Sequence, residues 1–186
     1  MQRFRGFIAV DIPVTKQLLS FEKALAATSA KLKIVAPENI HVTLKFLGDT
    51  PLTQIDHIES AMKEAVKTAT PHKVILRGTG VFPNENYIKV IWIGLQHAEA
   101  ISGIATKLNR DLTCLGFKKE KRAFSAHLTI ARMKSAQGKE EIISLIRDYD
   151  DVTFAEIPIQ NIMLKKSTLT PQGPIYETVK TVPINE

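Results

Sequence analysis

The chain reads as an α+β protein, bilobal and duplicated, and three observations lead there. Apolar residues alternate with period two in some segments and recur at helical spacing in others, so strands and amphipathic helices share one chain. The order strand, helix, strand, helix, strand, strand occurs once and then starts again near residue 87. Each half also carries the same pattern, His41-Val42-Thr43-Leu44 and His127-Leu128-Thr129-Ile130, at similar distances after the last apolar residue of a helix (Leu25 and Leu112). A pseudo-two-fold axis relating the halves brings the two patterns together across a groove.

Residues 5–12 form a largely buried strand ending at Pro13, and Val14, Leu18, Phe21 and Leu25 mark the first helix. After Pro37 comes the first motif strand, His41 to Leu47, closed by Gly48-Asp49. The second helix takes Asp49 or Thr50 as its cap, has Pro51 near its first turn, and buries Ile55, Ile58, Met62 and Val66. Residues 73–82 and 87–95 pair as a hairpin around Pro83-Asn84-Glu85-Asn86. Ile101, Ile104, Leu108 and Leu112 mark the third helix, stopped by Gly116. The second motif strand runs from about Ala126 to Met133, and the fourth helix carries Ile142, Ile143, Ile146 and Tyr149. Strands near 152–169 and 175–182 follow, turning at Pro171-Gln172-Gly173-Pro174.

At 186 residues the chain is expected to form a single domain, residues 1–186, of two pseudo-symmetric lobes. The hydrophobic share of 44% and charged share of 24% are those of a soluble globular protein, and no apolar run is long enough to span a membrane. The run Gly6 to Ile12 is too short for a signal peptide, and a single cysteine, Cys114, admits no intramolecular disulfide. A cytoplasmic location and a monomer are the expectation, with Cys114 packed on the apolar side of a helix. The net charge of +6 favours an anionic partner. The dense basic run Lys118, Lys119, Lys121 and Arg122, just upstream of His127, suits either the path of a phosphate backbone or a solvated loop.

The two motifs carry the chemistry. In a strand, residues i and i+2 share a face about 6.5–7 Å apart. Each motif therefore presents an imidazole and a hydroxyl on one side and two aliphatic anchors on the other. Imidazole exchanges protons near neutral pH, so one histidine can take a proton from a nucleophile while the other gives one to a leaving oxygen. Thr43 and Thr129 are placed to donate to non-bridging oxygens. Such an arrangement suits in-line displacement at phosphorus without a metal or other cofactor. Neither motif strand supplies a third zinc ligand. Gly78-Thr79-Gly80 lacks the rest of a P-loop and reads as a strand end, and Ser125, two residues before His127, has no nucleophile-elbow glycines. The bland alternative is a pair of ordinary strand histidines beside threonines.

Taken together, His41-Val-Thr-Leu-Lys-Phe-Leu-Gly48 and His127-Leu-Thr-Ile-Ala-Arg132 resemble the 2H phosphoesterases, in the RNA 2′,3′-cyclic phosphodiesterase branch also called 2′-5′ RNA ligase. The opening Arg5-Gly-Phe-Ile-Ala-Val10 and the tail Lys166 to Tyr176 are similar too; Ala126, where many members carry proline, departs from the pattern. The resemblance implies two antiparallel sheets facing a central groove, with the helices outside. It implies hydrolysis of an RNA 2′,3′-cyclic phosphate end to a 2′-phosphate, with tRNA fragments among the candidate substrates and 2′-5′ ligation as the reverse reaction. His41 would protonate the departing 3′ oxygen, His127 would activate water, and Thr43, Thr129 and Arg132 would hold the phosphate.

Strand parity qualifies three of these neighbours. An offset of five from His127 points Arg132 away from the site, unless a bulge re-aims it or it lies beyond the strand end. Parity places Lys45 on the face of His41, as a supporting charge or a solvent-facing lysine, and puts Phe46 in the core. Arg5, at a strand start, is a second candidate supporting charge. An RNA-binding module that holds such ends without turnover is the remaining class; the presence of both histidines favours an enzyme.

Overall fold

The computed structural model describes residues 2–171 and 173–184, so Gln172 of the expected turn and the ends of the expected domain 1–186 lie outside the described residues. The chain runs β1 (Arg3–Asp11), α1 (Lys16–Ala26), β2 (Leu32–Ile34), β3 (His41–Pro51), α2 (Ile55–Val66), β4 (His72–Asn84), β5 (Tyr87–Gln96), α3 (Glu99–Asp111), β6 (His127–Met133), α4 (Lys139–Asp148), β7 (Thr153–Ile159), β8 (Asn161–Thr170) and β9 (Gly173–Pro183). Two antiparallel sheets result, ordered β3-β1-β8-β9 and β2-β6-β5-β4-β7.

The duplication is visible in that order. Each sheet places a motif strand beside the opening strand of its own half, then takes a strand from the other half: β8 beside β1, and β4 beside β5. The helices cross over as well. Helices α2 and α3 pack on the sheet that contains β3, whereas α1 and α4 cover the sheet that contains β6. The halves are therefore interwoven, and neither sheet is the product of one half alone. The two sheets approach each other along β3 and β6, the motif strands.

Local sequence explains the elements. Thr15 caps α1 by accepting the Leu18 N–H at 3.3 Å, and Leu18, Phe21 and Leu25 line its fully buried stripe. Burial on this scale contributes roughly 1.5–3 kcal/mol per large apolar side chain. The turn after α3 tightens into a 3-10 segment and stops at Gly116, whose φ of 86° lies in the left-handed region that glycine enters freely.

Several expectations need correction. Asp49, Thr50 and Pro51 do not start α2: they extend β3, and a 3-10 turn over Leu52–Gln54 intervenes before Ile55. The β3 pairing with Arg3, Phe4 and Arg5 holds them in the sheet. Val14 lies before α1 and is exposed. Gly78-Thr79-Gly80 lies inside β4 at a register shift, not at a strand end. Ser125 precedes β6 and is not part of it. Cys114 sits on the outer side of the 3-10 turn and is exposed, because tightening after Asp111 rotates it away from the apolar stripe of α3.

Candidate active site

Each motif strand contains a bulge at the same place. Ile8 pairs with Lys45 and Ala9 with Thr43, so Leu44 is the extra residue in β3. Ile91 pairs with Ala131 and Trp92 with Thr129, so Ile130 is the extra residue in β6. Both lie three positions after the motif histidine, a further mark of duplication. A bulge adds one residue and inverts the alternation beyond it. Consecutive residues Leu44 and Lys45, and again Ile130 and Ala131, are accordingly all buried.

That inversion decides which neighbours share the face of the motif histidines. His41 and Thr43, like His127 and Thr129, precede the bulges and share the face opposite the helices. Beyond the bulge, Arg132 returns to the face of His127, which answers the parity difficulty. Lys45 does the reverse, and its reading as a groove-facing charge is corrected. Its side chain is 2% exposed on the helix side, where Nζ donates to Asn109 Oδ1 at 2.8 Å and to the Lys118 carbonyl. Phe46, read as core, is instead 59% exposed and occupies the position in the first half that Arg132 holds in the second. The first part of the basic run is likewise fixed behind the sheet, through the Lys118 carbonyl and through Glu120, whose backbone binds Asn109.

The histidines are held alike. His41 Nδ1 lies 2.7 Å from the Asn39 carbonyl, and His127 Nδ1 lies 2.8 Å from the Ser125 carbonyl, two residues upstream in each case. A carbonyl only accepts, so Nδ1 carries the proton and Nε2 is left as the proton-exchanging atom in both rings. His41 Nε2 is 3.0 Å from Thr43 Oγ1. Phe7 lies 5.0 Å and Tyr176 5.2 Å from the His41 ring, centroid to centroid, and Phe82 lies 5.0 Å from that of His127. Each imidazole is thus braced by a backbone carbonyl and by aromatic rings.

Burial and neighbouring charge both act on His41. Burial is the main cause holding His41 below the usual imidazole range; the Asn39 hydrogen bond and Asp11 oppose it, and Lys165 reinforces it. Lys165 is itself buried, and its Nζ donates to both carboxylate oxygens of Asp11 at 2.6 Å. Asp11 is the cross-strand partner of His41, so this ion pair adjoins the ring. Burial pushes the Tyr176 phenol up, while the Arg132 and Arg5 guanidinium groups pull it down; Arg5 and Tyr176 are both cross-strand partners of Ser167. Asn39 Nδ2 donates to the Pro174 carbonyl at 2.9 Å and ties the start of β9 to the loop before His41.

A stability prediction follows from the His41 shift. An unfolded imidazole titrates near pH ~6.5 and the folded one lower, so below that pH the unfolded chain binds more protons. The His41 contribution is present above the unfolded value and is lost as pH falls through the folded one. Replacing His41 with Gln is expected to flatten the acid side of a Tm-against-pH curve between the two values. An unchanged slope would show that His41 is not buried as a neutral ring.

Sequence reasoning missed Phe7, Tyr176, Phe82, Lys165 and Asp11 as site neighbours. Tyr176 lies 135 positions from His41, and no local pattern connects them. Among the described residues no group of three or more His, Cys, Asp and Glu side chains is arranged to hold a metal ion.

Two interwoven halves thus each present one carbonyl-anchored imidazole and one hydroxyl, on motif strands that approach each other. The chain belongs to the LigT-like phosphoesterase family: the family model described as LigT like Phosphoesterase matches it twice, over residues 8–92 and 93–176. The two matches meet inside β5, the strand with which the second half opens. Among curated relatives, an RNA 2′,3′-cyclic phosphodiesterase of Methanocaldococcus jannaschii is 39% identical over 181 residues, covering 95% of this chain and 98% of the relative. One of the same name from Methanothermobacter thermautotrophicus is 34% identical, with 94% and 95% covered. The structure of TT0787 of Thermus thermophilus superposes with a TM-score of 0.80 at 25% identity over 97% of both chains. Escherichia coli LigT, solved with 3′-AMP, shares the fold with a TM-score of 0.76 at 18% identity over all of both chains.

Proposed function

We propose that the protein hydrolyses RNA 2′,3′-cyclic phosphate ends to 2′-phosphates, using His41 and His127 as an acid–base pair without a metal, and that the whole chain works as one unit. The observation that carries this reading is the matched anchoring of the two rings. Fixing Nδ1–H on a carbonyl in each half leaves two equivalent Nε2 atoms for proton transfer. The names of the curated relatives supply the substrate class.

The site divides the reaction as follows. The cyclic phosphate sits between Thr43 and Thr129, with Arg132 offering charge-assisted donors to a non-bridging oxygen and Arg5 adding positive potential. His127, whose Nε2 has no protein partner among the described residues, accepts a proton from water as the water oxygen bonds to phosphorus. The bond from phosphorus to O3′ breaks, and His41 Nε2 protonates that oxygen, leaving a 3′-hydroxyl and a 2′-phosphate. Proton exchange with solvent resets both rings. The bound anion opposes the desolvation of His41 and favours its protonated form, which equips that ring to act as the acid. Phe46 presents an exposed aromatic face beside the site, suited to a terminal base.

The test is incubation with a short RNA ending in a 2′,3′-cyclic phosphate in excess EDTA, with products resolved as 2′- or 3′-phosphate and as joined strands. Release of 2′-phosphate unaffected by chelation is expected. Binding without turnover, accumulation of 2′-5′-joined strands only, or activity abolished by EDTA would each overturn the proposal.

A further inference from the structure

Beyond its motif residues, β6 continues into a pairing that places like charges opposite one another. Arg132 is the cross-strand partner of Lys33 in β2. One step further along the same face, Lys134 and Lys31 are joined by a backbone hydrogen bond of 2.8 Å, from the Lys134 N–H to the Lys31 carbonyl. Between these pairs, Leu32 and Met133 turn to the core. Strand alternation thus puts Lys31, Lys33, Arg132 and Lys134 on the face of His127 and Thr129.

Like charges directly opposite on neighbouring strands are destabilising, and such pairs are ordinarily relieved by an acid nearby. Here none of the four cations forms an ion pair among the described residues, although Arg3, Lys73, Arg77, Lys165 and Lys180 all do. The ribbon that carries them is nonetheless firmly tied. The Ser29 N–H donates to Glu141 Oε2 at 2.9 Å, and Gly138 packs so closely on Ala30 that a Cβ there would lie 2.5 Å from its backbone nitrogen. The Lys33 ammonium reaches the β8–β9 turn of the other sheet, 3.6 Å from where a Cβ on Gly173 would stand. The stripe therefore starts beside the motif residues of β6 and leads outward along the β2–β6 edge on a fixed support.

We propose that Lys33, Lys31 and Lys134 form a track for the RNA strand, binding the phosphodiesters that precede the terminal cyclic phosphate. Same-face positions on a strand are about 6.5–7 Å apart, a step comparable to that between successive phosphates of an extended single strand. The unpaired cations supply sequence-independent attraction, so the enzyme prefers an oligonucleotide end to a free cyclic mononucleotide. The track rests on the function proposed above, and it moves the basic path from the Lys118–Arg122 loop to the β2–β6 edge.

The experiment compares a 2′,3′-cyclic mononucleotide with a tetranucleotide ending in the same group, at several salt concentrations, for the wild type and for a variant carrying Lys31→Gln, Lys33→Gln and Lys134→Gln. A second variant with Lys23→Gln, Lys63→Gln and Lys67→Gln carries the same charge change on α1, on α2 and at the α2 C-terminus. The track variant is expected to turn over the mononucleotide within about twofold of wild type and to lose about tenfold or more in kcat/KM on the tetranucleotide. Its salt slope should fall by about 0.7 for each phosphate it no longer neutralises, and the helix variant should match wild type. Equal losses on both substrates, equal losses in both variants, or no wild-type preference for the tetranucleotide would overturn the track. Binding of a tetranucleotide ending in 2′-phosphate, read by anisotropy, separates the two proposals. If wild type binds it and only the track variant does not, the track stands even should neither cyclic substrate be hydrolysed; if both bind it alike, the track falls.

Discussion

His41→Ala and His127→Ala are each expected to lower kcat by at least ~100-fold, a typical contribution of a positioned general acid or base. Each ring meets the solvent-facing side of its sheet through a single carbonyl anchor and aromatic neighbours, so removal empties a braced position without opening the core. Leu128, Ile130, Val42 and Leu44 remain as the buried anchors of the motif strands. The losses should therefore appear in kcat with little change in Tm above pH ~7, where the His41 titration no longer affects stability. In the proposed mechanism both rings serve one reaction, so the double variant should lose much less than the product of the single losses. Turnover within about threefold of wild type in either single variant would contradict the paired mechanism.

Arg132→Met and Lys45→Met are expected to part company, although both are candidates in the sequence, Arg132 by resemblance and Lys45 by strand parity. A hydrogen bond to a charged group contributes about 1.5–3 kcal/mol, so loss of Arg132 should cost roughly 10- to 150-fold in kcat/KM. Lys45 lies behind the sheet with Asn109 and the Lys118 carbonyl as partners, and its variant should keep catalysis within about threefold. Its effect should fall on stability, since Met conserves the apolar stem but leaves the Lys118 carbonyl without this donor. A catalytic loss in Lys45→Met as large as that in Arg132→Met would show that the bulges do not set the two faces as described.

The contrast between these residues shows what the sequence makes legible. His41 with Thr43, and His127 with Thr129, stand two apart and precede the bulges, so simple alternation reads their faces correctly. Arg132, Lys45 and Phe46 follow an inserted residue, and alternation fails for them one after another. The signal that could have found the bulges is the apolar pair Ile130-Ala131, which ordinary alternation does not produce; Leu44-Lys45 hides the same event behind a charged residue. The four helices were legible because each buries a stripe at helical spacing, as Ile58, Met62 and Val66 do in α2. Strand β2 spans only Leu32–Ile34, too short for periodicity to register, and the basic track depends on it. Lys33 meets Arg132 across 99 positions of sequence, and nothing local to either announces the pairing. The exchange of β4 and β8 between sheets is likewise a property of the closed fold.

The most direct measurement is the pH dependence of single-turnover cleavage of a cyclic-phosphate RNA by the wild type and by each histidine variant. Two acting imidazoles require a bell with an acid and an alkaline limb in the wild type. The residual activity of His41→Ala and of His127→Ala should each retain only one limb, and the two variants should retain opposite ones. A wild-type profile lacking either limb, or a variant that keeps both, would contradict the assignment of the reaction to two histidines across one groove.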